Sequence, residues 1–253
     1  MARQKLGQHF LLRGSVLERI ARAACPDPEP LVIEIGPGRG ALTAYLLPRA
    51  AHLIAIEIDT HLASHLAQKF AGDSRVQLVE ADALRTDLSQ WGPAAIAGNL
   101  PYYAATPILE HVLQLSPALR RAVFLMQKEV AERAAAPPGS RAYGYLSVAT
   151  QLFANVDLLF EVKPAAFHPP PKVDSAVLCL TPRNRGAELG LADPRGFLRF
   201  VALCFHQKRK TLRNNLSPAY GRELLDSWPE ASLRAEQIGM EQFAAMYRRL
   251  PPQ

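Results

Sequence analysis

Short apolar runs alternate with amphipathic stretches over the first half of the chain. Residues 31–36 (LVIEIG) form an apolar run that ends in a glycine turn, and the pattern predicts a buried strand there. Residues 52–59 (HLIAIEID), 76–82 (VQLVEAD), 94–99 (AAIAGN) and 121–127 (RAVFLMQ) predict four more. Between them, residues 41–50 (ALTAYLLPRA), 60–70 (THLASHLAQKF) and 106–115 (TPILEHVLQL) carry helical spacing. Strands that are apolar on both faces, separated by helices, predict βαβ units and a parallel sheet covered on both sides.

The pattern then changes. Residues 144–156 (GYLSVATQLFANV) predict another helix. Two strands follow, at 156–162 (VDLLFEV) and 173–180 (VDSAVLCL), around KPAAFHPPPK. No helix fits between them, so an antiparallel pair at the sheet edge is expected. Residues 181–196 are rich in turn formers and predict a domain boundary. From 197 to the end the chain is helical in character and locally basic. The expected division is a first domain over 1–183 and a small helical domain over 184–253.

The length of 253 residues suits one large domain with or without a small companion. The net charge of +6 favours a polyanionic partner. Cys25, Cys179 and Cys204 have neither zinc-ligand nor disulfide spacing, which fits a reducing cytosol. No run of apolar residues is long enough to span a membrane. The N-terminus lacks a cleavable-signal pattern.

Candidate chemistry gathers at the strand ends. Gly36, Gly38 and Gly40 of EIGPGRGALT follow a strand and precede a helix, where glycine permits a tight turn and close approach of a ligand. The spacing Gly36-x-Gly38-x-x-Ala41 also satisfies the loose dinucleotide fingerprint. Pro37 opposes that reading, because it removes a backbone N–H that a pyrophosphate would use. Glu57 closes the second strand and is placed to accept both ribose hydroxyls of an adenosine. Asp82 ends the third strand and is placed to accept from an adenine amino group. In open α/β sheets, ligands sit at the carboxyl ends of the strands.

The fourth strand ends in GNLPYY (98–103). The exocyclic amine of adenine is a weak nucleophile because its lone pair is delocalised into the ring. Acceptors that hold both N–H groups favour a pyramidal nitrogen. The Asn99 side-chain oxygen and the Leu100 backbone carbonyl are such acceptors. Pro101 stiffens the loop. Tyr102, by position, gives a base a stacking face, with Tyr103 as the alternative. Asn is no base at neutral pH, so the expected catalysis is positioning and electrostatics. His61 and His65 stand four apart on a helix without an obvious third ligand, and no metal site is expected. HQKRKTLR (206–213) carries Lys208, Arg209, Lys210 and Arg213 without an acid, and phosphate contact is expected there.

Taken together, GQHFL (7–11), EIGPGRGALT, EID (57–59), ADAL (81–84), GNLPYY, residues 125–148, FHPPPKVDSAV (167–177) and FHQKRKTLRNNL (205–216) are specific. The chain resembles the ribosomal RNA adenine N6-dimethyltransferases, most closely the small-subunit (KsgA/RsmA) family, over nearly its whole length. The resemblance implies an α/β fold: a Rossmann-like class I methyltransferase sheet with a small α-helical C-terminal domain. It implies S-adenosylmethionine as cofactor, held by His9, Leu11, Gly36, Glu57, Asp82 and Asn99. It implies target-adenine contacts at Asn99, Leu100, Pro101 and Tyr102, with Phe167 as a second stacking wall. The implied partner is the small ribosomal subunit and its 16S rRNA, where two adjacent adenines of the 3′-terminal hairpin loop are dimethylated. Position 9 is His where Asn is common in the family, and position 103 is Tyr where a polar residue is usual. A cytoplasmic monomer with a role in subunit biogenesis completes the expectation. Its rivals are a large-subunit rRNA methylase of the macrolide-resistance type and a non-catalytic assembly factor on the same fold. An NAD dehydrogenase lacks a plausible hydride-transfer His or Arg pair.

Overall fold

The computed structural model describes residues 9–115 and 118–250. Two compact units are present, one of residues up to Ala131 together with Asn155–Pro182, the other of Glu132–Ala154 together with the chain from Arg183 onward. The elements in chain order are β1 (Phe10–Leu11), α1 (Gly14–Ala24), β2 (Glu29–Ile35), α2 (Thr43–Leu46), β3 (Ala50–Glu57), α3 (Thr60–Lys69), β4 (Val76–Glu80), β5 (Ala94–Asn99), α4 (Ala105–Leu113) and β6 (Leu119–Gln127). Next come α5 (Lys128–Ala135), α6 (Tyr145–Phe153), β7 (Ala154–Val162), β8 (Phe167–His168) and β9 (Ser175–Pro182). The chain ends in α7 (Arg185–Glu188), α8 (Pro194–Cys204), α9 (Leu212–Tyr220), α10 (Arg222–Asp226) and α11 (Met240–Arg248).

The first unit holds a seven-stranded sheet of order β4-β3-β2-β5-β6-β9-β7. The strands from β4 to β6 are parallel, and β9 runs antiparallel to β6. This is the Rossmann-like sheet expected, with β7 and β9 at the edge. Val32, Leu53, Ala95, Val123 and Leu125 are fully buried, as strands covered on both faces require. The predicted helix over residues 41–50 is shorter than its pattern suggests. Only α2 is α-helical, and Leu47–Arg49 tightens into a 3-10 turn at Pro48, which has no N–H to continue the ladder.

The second unit has its own core around Phe197, Phe200 and Phe243, each at most 1% exposed. Burying a phenylalanine fully contributes about 1.5–3 kcal/mol. Val148 and Leu152 of α6 are fully buried in that core. Residues 132–154 therefore belong with the C-terminal helices, although the sequence pattern placed them in a first domain running to 183. The helix is apolar enough to need a partner, and the sequence alone does not say which. Among the described residues no helix is long and apolar enough to cross a membrane.

The basic stretch 206–213 reads as helical in sequence but is mostly a turn between α8 and α9. Buried Asn215 accounts for this. Its Nδ2 donates to the carbonyls of Cys204 (2.7 Å) and Gln207 (3.2 Å), and its Oδ1 accepts from the Gln207 N–H at 3.1 Å. The side chain thus takes a carbonyl that a continuing helix would use. Asn215→Ala should leave those groups short of partners and cost about 1–3 kcal/mol. Urea unfolding at equilibrium measures it; a loss within error of zero would show that the turn holds without this side chain.

Candidate active site

The four polar groups predicted at strand ends converge at the carboxyl ends of β4, β3, β2 and β5, which are neighbours in the sheet. The chain order reverses between β2 and β5, the switch point where open α/β sheets bind ligands. One crevice there is lined by His9, Leu11, Gly36, Glu57, Asp82 and Asn99. Leu100, Pro101 and Tyr102 line the same crevice. Gly7 and Gln8 of the GQHFL motif lie outside the described residues.

The glycine loop is shaped by Glu57. That side chain is only 3% exposed. Its Oε2 accepts the Gly38 N–H and its Oε1 the Asp59 N–H, both at 3.0 Å. Each oxygen keeps a second acceptor site for a ligand hydroxyl. Gly38 has φ +59°, and a Cβ there would lie 3.2 Å from the Phe10 ring. Any other residue there would be strained by the backbone conformation and would also have to push the Phe10 ring aside. Arg39 lies over the other side of the loop, with its guanidinium 4.7 Å from the Phe10 ring centre. Asp82 is more open. Its Oδ1 accepts the Leu84 N–H at 2.9 Å, and Arg85 stands 3.9 Å from Oδ2.

β1 pairs with β8 and brings the N-terminal segment to the crevice. The His9 ring hydrogen-bonds through Nδ1 to the Pro169 carbonyl at 2.8 Å. The His9 carbonyl accepts from Asn99 Nδ2 at 3.0 Å. That bond sets the Asn99 amide with its nitrogen committed to His9, which leaves Oδ1 as the group to present elsewhere. The Leu100 N–H is held by the Leu125 carbonyl, and the Pro101 carbonyl accepts the Ala104 N–H, both at 2.9 Å. The Asn-Leu-Pro-Tyr turn is thus braced on both sides. Tyr102 places its hydroxyl 2.8 Å from Ser175 Oγ and its ring centre 5.5 Å from that of His9.

Phe167 departs from expectation. It pairs with Leu11 across the β1–β8 ladder, is 5% exposed, and sits in the core of the first unit. A ring so buried offers no face to a base. In the second unit Arg209 and Lys210 are exposed and have no acidic partner among the described residues. Lys208 and Arg213 are engaged: Lys208 Nζ donates to the Arg141 carbonyl at 2.7 Å, and Arg213 pairs with Asp226 at 3.0 Å.

Three residues went unread in sequence. Gly98 is required because a Cβ would meet the Ile35 carbonyl at 2.5 Å, so β5 could not lie against β2. Ser175 was invisible because its partner, Tyr102, is 73 residues away. Glu34 is the last residue but one of β2, at 1% exposure, beside Ala55 and Ala97 on the neighbouring strands. It lines the crevice, and its Oε2 has no partner among the described residues. Burial, reinforced by the Glu57 carboxylate and opposed by Thr43, pushes its pKa up to about 8.

A doubly wound parallel sheet with its polar groups at the switch point, and an antiparallel strand beyond β6, defines a Rossmann-like class I methyltransferase. The sequence comparisons narrow the class. A family model described as "Ribosomal RNA adenine dimethylase" matches residues 1–250, and the chain belongs to that family. It is 44% identical to "Ribosomal RNA small subunit methyltransferase A" of Acidobacterium capsulatum, covering 97% of this chain and 90% of the relative. The protein of the same description from Pseudomonas fluorescens is 41% identical, with 100% and 95% covered. Among solved structures, a dimethyladenosine transferase from Plasmodium falciparum superposes with TM-score 0.79 at 27% identity, covering 93% of this chain and 94% of that one. The 23S rRNA methyltransferase ErmE gives 0.73 at 27% identity, over 95% and 99%.

Glu34 generates a pH prediction. In the unfolded chain it releases its proton near the ordinary carboxyl value of 4.5, while the folded protein keeps it until about pH 8. Between these values the native state binds more protons, so stability falls as pH rises and levels off above the upper value. Glu34→Gln removes this component. Urea unfolding without cofactor should show the variant gaining on the wild type from about pH 5 to pH 8. Parallel stability curves for the two proteins would sink the assignment.

Proposed function

We propose that this enzyme dimethylates N6 of two adjacent adenosines in the 3′-terminal hairpin loop of small-subunit (16S) rRNA, and so takes part in small-subunit biogenesis. The methyl donor is S-adenosylmethionine, which supplies an electrophilic methyl group. The residues present fit it. Glu57 has acceptor sites left for ribose hydroxyls, Asp82 would accept from the adenine amino group, and the Gly36–Gly38 turn, with positive φ at both glycines, would admit a ligand without needing a pyrophosphate. His9, Leu11 and Asn99, which line the crevice, would complete the contacts.

The observation that carries the reading is the oriented amide of Asn99. Its Oδ1 and the Leu100 carbonyl would hold the two N–H groups of the target amine, draw the nitrogen toward pyramidal geometry, and leave its lone pair exposed. Pro101 keeps both acceptors in place, and Tyr102 stacks on the base. No general base is needed, because the amine loses its proton after the methyl arrives. Arg209 and Lys210 supply phosphate contacts that fix register rather than read bases. A monomer acting in the cytosol, with no membrane and no resident metal, belongs to the same reading.

The fold is shared with ErmE at TM-score 0.73, so the fold alone does not choose between ribosomal subunits. Relatives at 41–44% identity described as small-subunit methyltransferases favour the small subunit. The direct test incubates the protein with labelled S-adenosylmethionine and either small or large subunits from unmethylated cells, then maps the modified bases. Label confined to large subunits would overturn the reading, and no label in either would favour an assembly factor without activity.

Two outcomes are expected of variants. Asn99→Ala should keep the fold but lower single-turnover methylation of the small subunit by about 100-fold or more; near-normal turnover would remove Asn99 from the reacting centre. Replacing Arg209 and Lys210 together by Ala should weaken subunit binding and flatten its log–log salt dependence by somewhat under about two units. Cofactor affinity should stay unchanged, because the described residues that line the crevice all belong to the first unit. An unchanged salt slope would return the two residues to an ordinary solvated turn.

A further inference from the structure

The two consecutive tyrosines after β5 differ in their surroundings. Tyr102 is drawn toward the β6–β9 side of the sheet, where its hydroxyl meets Ser175, the first residue of β9. Tyr103 lines the same crevice without such a partner among the described residues. After partial burial, the influences on its phenol are the carboxylates of Asp82 and Glu57, which hold its pKa above the ordinary value. Those acids stand beyond β4 and at the end of β3, across β2 from β5. Tyr103 is 64% exposed, and Ile58, next to Glu57 on the crevice wall, is 52% exposed. Among the described residues Tyr103 has no hydrogen bond and no ring partner. Two large apolar side chains thus stand open on the crevice wall beside two acids suited to an adenosine.

We propose that Tyr103 is a wall of the cofactor's adenosine subsite, its ring covering the nucleoside together with Ile58, while Tyr102 alone serves the target base. The proposal rests on the reading of the crevice as an S-adenosylmethionine site. The chemistry is consistent. A purine presents a flat face that an aromatic ring covers at little conformational cost. Covering it removes apolar surface of Tyr103 and Ile58 from water. A polar residue at position 103 would give none of the stacking.

Calorimetric titration of the full-length protein with S-adenosylhomocysteine and with 5′-methylthioadenosine tests it, with wild type, Tyr103→Phe and Tyr103→Ala compared. Both ligands carry the adenosine, and only the first carries the amino-acid tail. Tyr103→Ala should weaken both by about tenfold, the order expected for one base–aromatic stack. Tyr103→Phe should keep most of the affinity, since the ring face survives. Binding of cofactor-free protein to unmethylated small subunits should be the same in all three. Wild-type affinity in the Ala variant would overturn the proposal. So would a loss confined to subunit binding, which would assign the ring to the target RNA. If the wild type itself bound neither ligand, the cofactor reading of the crevice would fail first.

Discussion

A buried carboxylate needs donors, and much of this site follows from how Glu57 finds them. At 3% exposure its oxygens are supplied by the N–H groups of Gly38 and Asp59. The first bond ties the loop after β2 to the end of β3 and fixes Gly38 in a conformation with positive φ. The missing Cβ leaves space that the Phe10 ring occupies. Phe10 belongs to β1, so the N-terminal segment is seated by the same constraint, and β1's pairing with β8 anchors its other side. His9 precedes Phe10, and its carbonyl orients Asn99. A single acid on β3 is thereby linked, through a glycine and a phenylalanine, to the amide at the end of β5.

For the proposed chemistry the consequence is preorganisation rather than acid–base power. Asn99 does not titrate, and the turn that carries it is held by backbone bonds from Leu100 to Leu125 and from Ala104 to Pro101. Acceptors fixed before the substrate arrives need no reorganisation as charge develops on the amine, and that is where an electrostatic contribution to rate is largest. Tyr102 is fixed as well, by Ser175 from the antiparallel strand β9. The antiparallel edge of the sheet therefore has a role at the site beyond closing the fold.

The strand ends were legible in sequence because β-branched and alanine-rich runs stop abruptly at Gly36, Glu57, Asp82 and Asn99, and a parallel sheet puts such stops on one edge. What sequence could not resolve was long-range. The need for glycine at 98 shows only once the Ile35 carbonyl is seen against it. Phe167 is a stacking wall only by the family resemblance, and its pairing with Leu11, which buries it, is not contained in its local sequence. The basic stretch after α8 has helical spacing, and Asn215 overrides it with three hydrogen bonds that local propensity does not contain. In the same way α6 is plainly a helix, but only its burial with Phe197 and Phe200 assigns it to the second unit.

The crevice keeps several features that a fold optimised for stability alone would lose. Glu34 is buried with an unpartnered oxygen, and Leu12, Ile58 and Tyr103 expose apolar surface around the same crevice. Burying an unpaired polar atom costs on the order of 1–3 kcal/mol. The large apolar burial in β2, β3, β5 and β6 offsets that cost, and Ala55 and Ala97 beside Glu34 spare it steric strain as well. These features share one property: a ligand in the crevice would cover the apolar rim and could offer the buried carboxyl a partner. Their cost is then charged to the empty enzyme and relieved in the occupied one. By linkage, a ligand that binds only the folded chain adds stability in proportion to the logarithm of its concentration over its dissociation constant. The crevice is in this sense a part of the core that a cofactor of matching shape and polarity completes.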